Sequence, residues 1–384
     1  MARIRPSASP MLFHCAGSLQ MQELFPESED SEAAREGTAA HWVASSVLEQ
    51  YPKASGVLLS SDLLGKVSPN GVVIDDVMIE SADLYVDHVL KICQQHGALQ
   101  LMRVEETMQI PRIHSTECGG TPDLWLWSES KNILHVWDFK HGHGVVEAFE
   151  NMQLIEYTVG ILDQVTGGQA LTADVIVHMH IVQPRAYHAD GSVRTWIVDA
   201  VDLRAIVNIL ISQSELALRP NPPTKSGDHC KYCTGIAHCQ TAQRASANAI
   251  DLTQQMTVEM IQPEALALHR EILKRAMNAI KDRLTGVDSE IETLIKKNVT
   301  INGLALDNPP GRLSWSKPDA EIIELAKMMG ADLTTIKCVT PTQAAKHLDQ
   351  TLIDAYSYRP AGKTKIVDSK NTRALRVFAK QKVL

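Results

Sequence analysis

The sequence predicts an α/β fold, a central sheet flanked by helices, followed by a mainly helical C-terminal region. Three observations lead there. The hydrophobic period is helical near the N-terminus, changes to two in short runs rich in Val, Ile, Leu and Trp between residues 101 and 139, and returns to helical spacing afterwards. The resulting order is helix, three strands, helix, strand. The composition is that of a folded chain: 384 residues, 44% hydrophobic and 21% charged, far from the signature of disorder and long enough for two or three domains.

Taken in order, residues 31–51 form the first predicted helix, with acidic residues at its start and Ala34, Thr38, His41, Trp42, Ser45 and Leu48 at helical spacing. Residues 53–80 hold several Gly and Ser and read as a loop or weak hairpin. Helical spacing returns over 81–98 through Leu84, Val86, Val89 and Ile92. Residues 101–110, 123–127 and 133–139 read as strands separated by Gly, Pro, Ser and Asn clusters. A helix over 147–162, strands over 175–182 and 193–198, and a helix over 201–218 lead into Arg219-Pro220-Asn221-Pro222-Pro223, a predicted linker.

Beyond Gln240 the character shifts. Residues 256–297 are nearly all helix formers, broken at Gly286, and 302–311 form a Gly/Pro turn region. We place a domain boundary near 245–255, giving domains 1–245 and 250–384. Thr340-Pro341 reads as an N-cap with Pro at the first helical position, opening a short helix to Asp349.

No apolar run approaches the roughly 18 residues of a spanning helix, and Met1 to Pro6 lacks the apolar stretch of a signal peptide. A soluble, cytoplasmic protein without membrane partners is expected. The net charge of −8 argues against a protein that coats nucleic acid indiscriminately. The sum conceals a basic C-terminal segment: residues 357–384 carry eight Lys/Arg against Asp368 alone. Such a segment is most simply a solvated tail or helix face, with DNA contact as the functional alternative. Seven cysteines, an odd count, suit metal or redox chemistry better than a disulfide framework.

One constellation carries chemistry. Asp138-Phe139-Lys140 ends a strand, so carboxylate and amine, two residues apart, point to the same side. The triplet alone means little, since about one is expected by chance and Asp368-Ser369-Lys370 is another. Its surroundings raise it. Gly120-Thr121-Pro122-Asp123 opens the preceding strand, Gln153 and Tyr157 share a face of the following helix, and His41 lies four residues after Gly37 on the first helix. Two carboxylates and an imidazole suit Mg²⁺ or Mn²⁺, ions that bind phosphate oxygens and acidify water. Lys140 could orient or deprotonate that water, or stabilise a developing oxyanion. Gln153 and Tyr157 could position the strand or the base. Glu36, Glu105 and Glu156 are further carboxylates that could assist, and His141 and His143 could touch phosphate, although solvated or loop roles are the simpler reading of all five.

Gly37 to His41, Gly120 to Asp123, Asp138-Phe139-Lys140 and Gln153 to Tyr157 resemble, in order, the motifs of the PD-(D/E)XK nuclease superfamily in its RecB-like exonuclease branch. The resemblance covers roughly residues 10–240 and implies a restriction-endonuclease-like core with a mixed central sheet. It implies His41, Asp123, Asp138 and the Phe139 carbonyl as metal ligands, Lys140 as the catalytic lysine, and DNA, single-stranded or at ends, as substrate. The second acidic position is Asp138 where many members carry Glu.

Cys230, Cys233 and Cys239 form a Cys-x2-Cys-x5-Cys run, and Cys15 stands alone near the N-terminus. Four thiols can hold Zn²⁺ or a 4Fe-4S cluster, and spacing does not choose. One Cys before the nuclease motifs and three after them is similar to the iron-sulfur nucleases of the same branch, which implies a 4Fe-4S staple with Zn²⁺ as the alternative. Cys93, Cys118 and Cys338 read as plain thiols. The sequence beyond 250, with Gly311-Arg312-Leu313-Ser314-Trp315 and Thr340-Pro341-Thr342-Gln343-Ala344, resembles an uncharacterised family of phage and prophage RecB-like nucleases. That likeness implies recombination or replication, alongside a phage single-strand-binding or annealing protein. Two readings compete with an exonuclease: a non-catalytic DNA-binding module with a structural metal site, and a structure-specific endonuclease.

Overall fold

A computed structural model of the chain describes residues 2–26, 31–50, 58–96, 101–169, 171, 174–255, 263–307, 313–333, 341–344, 348–358 and 365–368. Gly311, Arg312, Cys338, Thr340 and most of the basic C-terminal segment lie outside them. Two compact units are formed, residues 1–286 and 287–384.

The first unit opens with α1 (Ser9–His14), α2 (Ser18–Leu24), α3 (Glu32–Leu48) and α4 (Asp76–His96). Ser31 caps α3 by accepting from Ala34 N at 3.2 Å, with Glu32 in the first turn where the helix dipole favours it. The strands follow: β1 (Met102–Val104), β2 (Met108–Gln109), β3 (Gly119–Gly120), β4 (Leu124–Ser128) and β5 (Ile133–Phe139). Then come α5 (Met152–Val165), β6 (Ile176–Val182), β7 (Val193–Asp199), α6 (Arg204–Ala217), α7 (Gln240–Gln255) and α8 (Pro263–Lys296), whose residues from Val287 on belong to the second unit. Five strands form one sheet in the order β1-β4-β5-β6-β7. β5 and β6 are parallel and joined through α5, whereas β4–β5 and β6–β7 are antiparallel. The chain is thus an α/β protein with a mixed five-stranded sheet flanked by helices.

Both faces of β5 are buried, which explains its near-continuous apolar run. Leu134 and Val136 pack with α5 residues Leu154, Ile155 and Ile161 on one face. Trp137 and Phe139 pack with Val43 and Val47 of α3 and Val86 and Val89 of α4 on the other. That second face also carries a layer of imidazoles. His135 of β5 pairs in register with His178 of β6, and Trp137 pairs with His180. Trp137 Nε1 donates to His88 Nδ1 of α4 at 3.1 Å. Burial, with His178 nearby, lowers the pKa of His135 to about 3, and burial with His135 nearby drives that of His180 far down.

The structure corrects the sequence reading of the first unit at five places. The predicted strand 101–110 is two short strands, because Glu105 takes a left-handed backbone (φ 49°) between them. β1 then pairs with β4, and β2 with β3 in a separate ribbon. The predicted loop 53–80 includes the first turn of α4, which starts at Asp76. The helix expected over 147–162 starts only at Met152, where Asn151 caps it through Leu154 N at 3.1 Å. Gly286 does not break its helix: α8 runs through it, and the missing side chain leaves room for Ile236 packed against that position. Finally, the predicted apolar stripe of α3 is not its core face. Ala39, Ala40, Val43, Ala44, Val47 and Leu48 are buried, so of the predicted set Leu48 faces the core while Ala34, Thr38, His41, Trp42 and Ser45 line an open cleft.

The second unit contains β8 (Leu304–Asp307) paired antiparallel with β11 (Lys365–Asp368), and β9 (Ser314–Trp315) paired with β10 (Ser357–Tyr358). β8 falls in the region read as a turn. Helices α9 (Asp319–Met328), α10 (Pro341–Ala344) and α11 (Gln350–Tyr356) accompany them, over a small core of Ile322, Ala326, Leu333 and Ala344. Among the described residues no helix is long and apolar enough to cross a membrane.

Candidate active site

The cleft beside α3 has a volume of about 1050 Å³, and its floor is made by Asp123, Phe139 and Lys140 at adjacent strand ends. Asp123 stands one residue before β4, in register with the end of β5. Its Oδ2 accepts from Phe139 N at 2.6 Å, so the backbone of one strand fixes the carboxylate of the other. The turn before it is held from α5: Tyr157 OH donates to Thr121 O at 3.0 Å. A side chain at Gly120 would come 3.1 Å from that hydroxyl and 2.9 Å from Pro6, which explains the glycine. Tyr157 therefore positions the Asp123 turn.

Asp138 and Lys140 share the α5 face, as period two requires. Asp138 Oδ1 accepts from Lys140 Nζ and from Gln153 Nε2, each at 2.9 Å, and Gln153 Oε1 lies 3.3 Å from Lys140 Nζ. Carboxylate, amine and amide thus form one closed triangle. Asp138 Oδ2 is buried and has no hydrogen-bond partner. Burial lowers the charged form of Lys140, but Asp138 and Asp123 outweigh it and raise its pKa. Burial and the Asp123 charge raise Asp138, while His41 and Lys140 hold Asp123 down against its own burial.

Across the cleft, His41 Nδ1 lies 3.4 Å from Asp123 Oδ1 and 3.9 Å from Glu105 Oε1. Burial disfavours its charged form, yet Asp123 and Glu105 raise its pKa to about 10. The ring packs 5.1 Å from that of Phe139, which stacks in turn on Tyr85. His41, Glu105 and Asp123 bring ligand atoms within 4.8 Å of one another. Glu105 is the residue that sequence reasoning ranked too low. Its left-handed backbone, with N donating to Asp123 O at 3.1 Å, is what aims its carboxylate at His41. Three carboxylates against Lys140 and His41 leave an excess of negative charge, and the converging Asp123 and Glu105 oxygens are of the hard type that divalent cations take, with Asp138 outside that converging group.

The remaining predicted residues are placed as follows. His141 and His143 hold Arg185, whose guanidinium lies 2.8 Å from His141 Nε2 and 2.9 Å from His143 Nε2, with Glu36 3.3 Å away. Burial and the Arg185 charge lower the pKa of His141 to about 4, so it accepts from Arg185. Gln183 pins the same loop by donating to the carbonyls of Gly142 and Gly144. Neither Arg185 nor Gln183 was singled out by the sequence, because no local pattern links them to the loop. Glu156 points away from the cleft. It is fully buried near Cys118, with its Oε1 unpartnered.

The cysteines come together from both ends of the first unit. Gly17 N donates to Pro223 O at 2.9 Å, and Lys225 N donates to Cys15 Sγ at 3.3 Å across 210 residues. Burial raises the Cys233 thiol to about 11, with Cys230, Cys15 and Cys239 adding to the shift through space. Cys15, Cys230, Cys233 and Cys239 are all free thiols. A four-thiol donor set fits a soft metal centre. The four are not among the groups whose ligand atoms converge within 4.8 Å among the described residues.

Residues 1–374 match the family described as protein of unknown function DUF2800. No curated protein matches the chain.

Proposed function

We propose that this chain, which belongs to the DUF2800 family, is a metal-dependent DNA nuclease with a PD-(D/E)XK core. The observation that carries the reading is the Asp123–Asp138–Lys140–Gln153 knot at adjacent strand ends, with one buried carboxylate oxygen left unpaired beside an open cleft. A buried carboxylate oxygen with no partner is costly unless a cation completes it. Asp123, Asp138 and His41, with the Phe139 carbonyl, would hold Mg²⁺ or Mn²⁺, and Glu105 joins them on the cleft wall. Bound there, the ion would neutralise phosphodiester charge and acidify an attacking water.

The chain's own groups divide the remaining work. Lys140, kept cationic by Asp138, stabilises negative charge developing on the phosphate. Gln153 fixes the orientation of both Lys140 and Asp138, and Tyr157 fixes the turn that presents Asp123. Arg185, oriented by two imidazoles beside the cleft, supplies a forked donor suited to a neighbouring backbone phosphate. Aromatic residues are only 5% of the chain, so grip through the backbone fits better than base stacking. Exonuclease action on single strands or ends, a role in phage-type recombination or replication, and a partner of the single-strand-binding or annealing class all rest on the resemblance to RecB-like nucleases. The four cysteines would hold a 4Fe-4S cluster that staples the two ends of the unit. The preference for a four-iron cluster over Zn²⁺, which four thiols could also hold, rests on the resemblance to iron-sulfur nucleases.

The test is degradation of 5′- and 3′-labelled linear single-stranded DNA in Mg²⁺ or Mn²⁺ by the intact protein and by Asp138→Ala. Cleavage lost in the variant supports the reading, and the label released first gives the polarity. No cleavage by the intact protein on linear or branched DNA overturns it in favour of a binding module. Closed circular single strands separate the endonuclease alternative. For the staple, Cys233→Ser should lower the melting temperature while leaving Mn²⁺ binding unchanged; an unaltered melting profile counts against it.

A further inference from the structure

We propose that His135, His178 and His180 form a second metal site, specific for a borderline transition-metal ion of the Zn²⁺ class, inside the sheet and apart from the cleft. The inference does not rest on the nuclease reading. It starts from strand geometry. His178 and His180 are two apart on β6 and face the same side, and His178 is the register partner of His135 on the adjacent parallel strand. Their ligand atoms all lie within 4.8 Å of one another. His135 Nδ1 faces His180 Nε2 at 3.0 Å. Two Zn–N bonds of 2.0–2.1 Å at a tetrahedral angle need a nitrogen spacing of about 3.3 Å, so this pair needs only a small ring rotation.

The surroundings supply what a metal-bound imidazole requires beyond its ligand atom. The far nitrogen of a ligating histidine normally bonds a fixed partner, which sets the tautomer. His180 Nδ1 has Thr195 Oγ1 of β7 at 2.8 Å, and His135 Nε2 has His96 Nε2 of α4 at 3.2 Å. With His180 donating to Thr195 and His135 donating to His96, the lone pairs of His180 Nε2 and His135 Nδ1 point at each other, the arrangement that a cation between them stabilises. The third ligand, His178, is only partly buried, leaving a side of the site open to solvent.

Hydrogen bonding alone does not account for the layer. A metal-free chain can run from His96 through His135 and His180 to Thr195, but it leaves out His178, whose position across from His135 adds nothing to that chain. Three neutral nitrogen donors and no carboxylate disfavour Mg²⁺ and Mn²⁺, so this site and the cleft select different ions.

The experiment loads the intact protein with Zn²⁺ in excess Mg²⁺, removes free metal on a desalting column, and counts Zn²⁺ per chain. The His178→Gln variant, altered at a partly exposed position, is the comparison, with circular dichroism as the folding check. One equivalent fewer in the variant is expected, together with a larger Zn²⁺-dependent rise in melting temperature in the unaltered chain than in the variant. Thr195→Val should weaken Zn²⁺ binding by about 10- to 100-fold without removing a ligand. Co²⁺ should give a nitrogen-ligated tetrahedral spectrum, without thiolate charge transfer, that disappears in His178→Gln. Equal Zn²⁺ content in both folded proteins, or a cobalt spectrum owed entirely to thiolates, overturns the proposal. DNA cleavage is not a readout, so failure here leaves the nuclease reading untouched.

Discussion

The middle and the end of β5 bury polar groups by opposite means. At the end, buried Asp138, held by Gln153, keeps Lys140 charged beside the cleft that Lys140 lines. In the middle, His135 and His180 are stripped of charge by burial and bonded to each other. A buried charge survives only when paired, and an imidazole escapes that cost by losing its proton. The lesson is one of placement. The fold retains charge where the strands run out and chemistry is possible, and removes it where the strands are covered on both faces.

The sharpest way to break the comparison is Lys140→Ala. If that cation acts on the transition state as proposed, removing it should lower turnover by about 10²- to 10⁴-fold with DNA affinity nearly unchanged, as single-turnover kinetics and a binding titration would show. Retained turnover would mean that the charge at the strand end is only structural.

Glu156 tests the opposite extreme, a carboxylate buried without a cation. Burial raises its pKa to about 7 against the weaker pull of Ser9 and Cys118, well above its ordinary 4.5. The folded state therefore binds the proton more tightly than the unfolded chain. That advantage is complete below pH 4.5 and is lost as pH rises through 7. Over that window the native state should lose about 3 kcal/mol, taking 1.36 kcal/mol per pKa unit. Glu156→Gln should abolish this slope, so that its urea midpoint at pH 8 exceeds that of the unaltered chain while the two differ least near pH 4.5.

A smaller effect belongs to the imidazole layer. His88→Leu removes the acceptor of the Trp137 indole N–H and should cost about 1–3 kcal/mol in urea unfolding, with cleavage rate unchanged. Lost cleavage would show that the layer and the cleft are coupled. The smallest shift is expected for Glu105→Gln, which keeps the shape of the cleft wall and removes one of three carboxylate charges. The Mn²⁺ concentration for half-maximal cleavage should rise about 10-fold, equivalent to about 1.4 kcal/mol.

Much of the site was legible because its motifs are local. Asp138 and Lys140 are two apart on one strand, Gln153 and Tyr157 four apart on one helix, and each spacing fixes a face without tertiary information. Glu105 was underrated because an alternating run hides a single left-handed residue, which only the pairing of β1 with β4 exposes. Arg185 and Gln183 reach the cleft loop from some 40 residues away, a distance over which periodicity says nothing. The α3 stripe failed for a different reason. Its two faces are both spaced helically, and the one made of Ala and Val meets the core while the larger His41 and Trp42 line the cleft. Gly286 was read as a breaker because propensity counts the flexibility of glycine and not the neighbour that its bare backbone admits.

The tie between the N-terminal helices and residues 223–225 also sets an order of events during synthesis. Ile4 bonds to Glu117 and Gly119, and Gly17 to Pro223, so α1 and α2 have no complete seat until the ribosome has moved some 200 residues past them. At about 5–20 residues per second that wait is on the order of 10–40 s. Leu12 and Leu19 belong to a core whose members beyond the N-terminal segment run from Met108 to Ala217, so their burial is complete only after α6 has been made. Closing so long a loop is slow on entropic grounds. Helices α1 and α2 are therefore among the last elements to be fully seated, and a nascent chain stalled before residue 223 would lack the bond that joins Gly17 to Pro223.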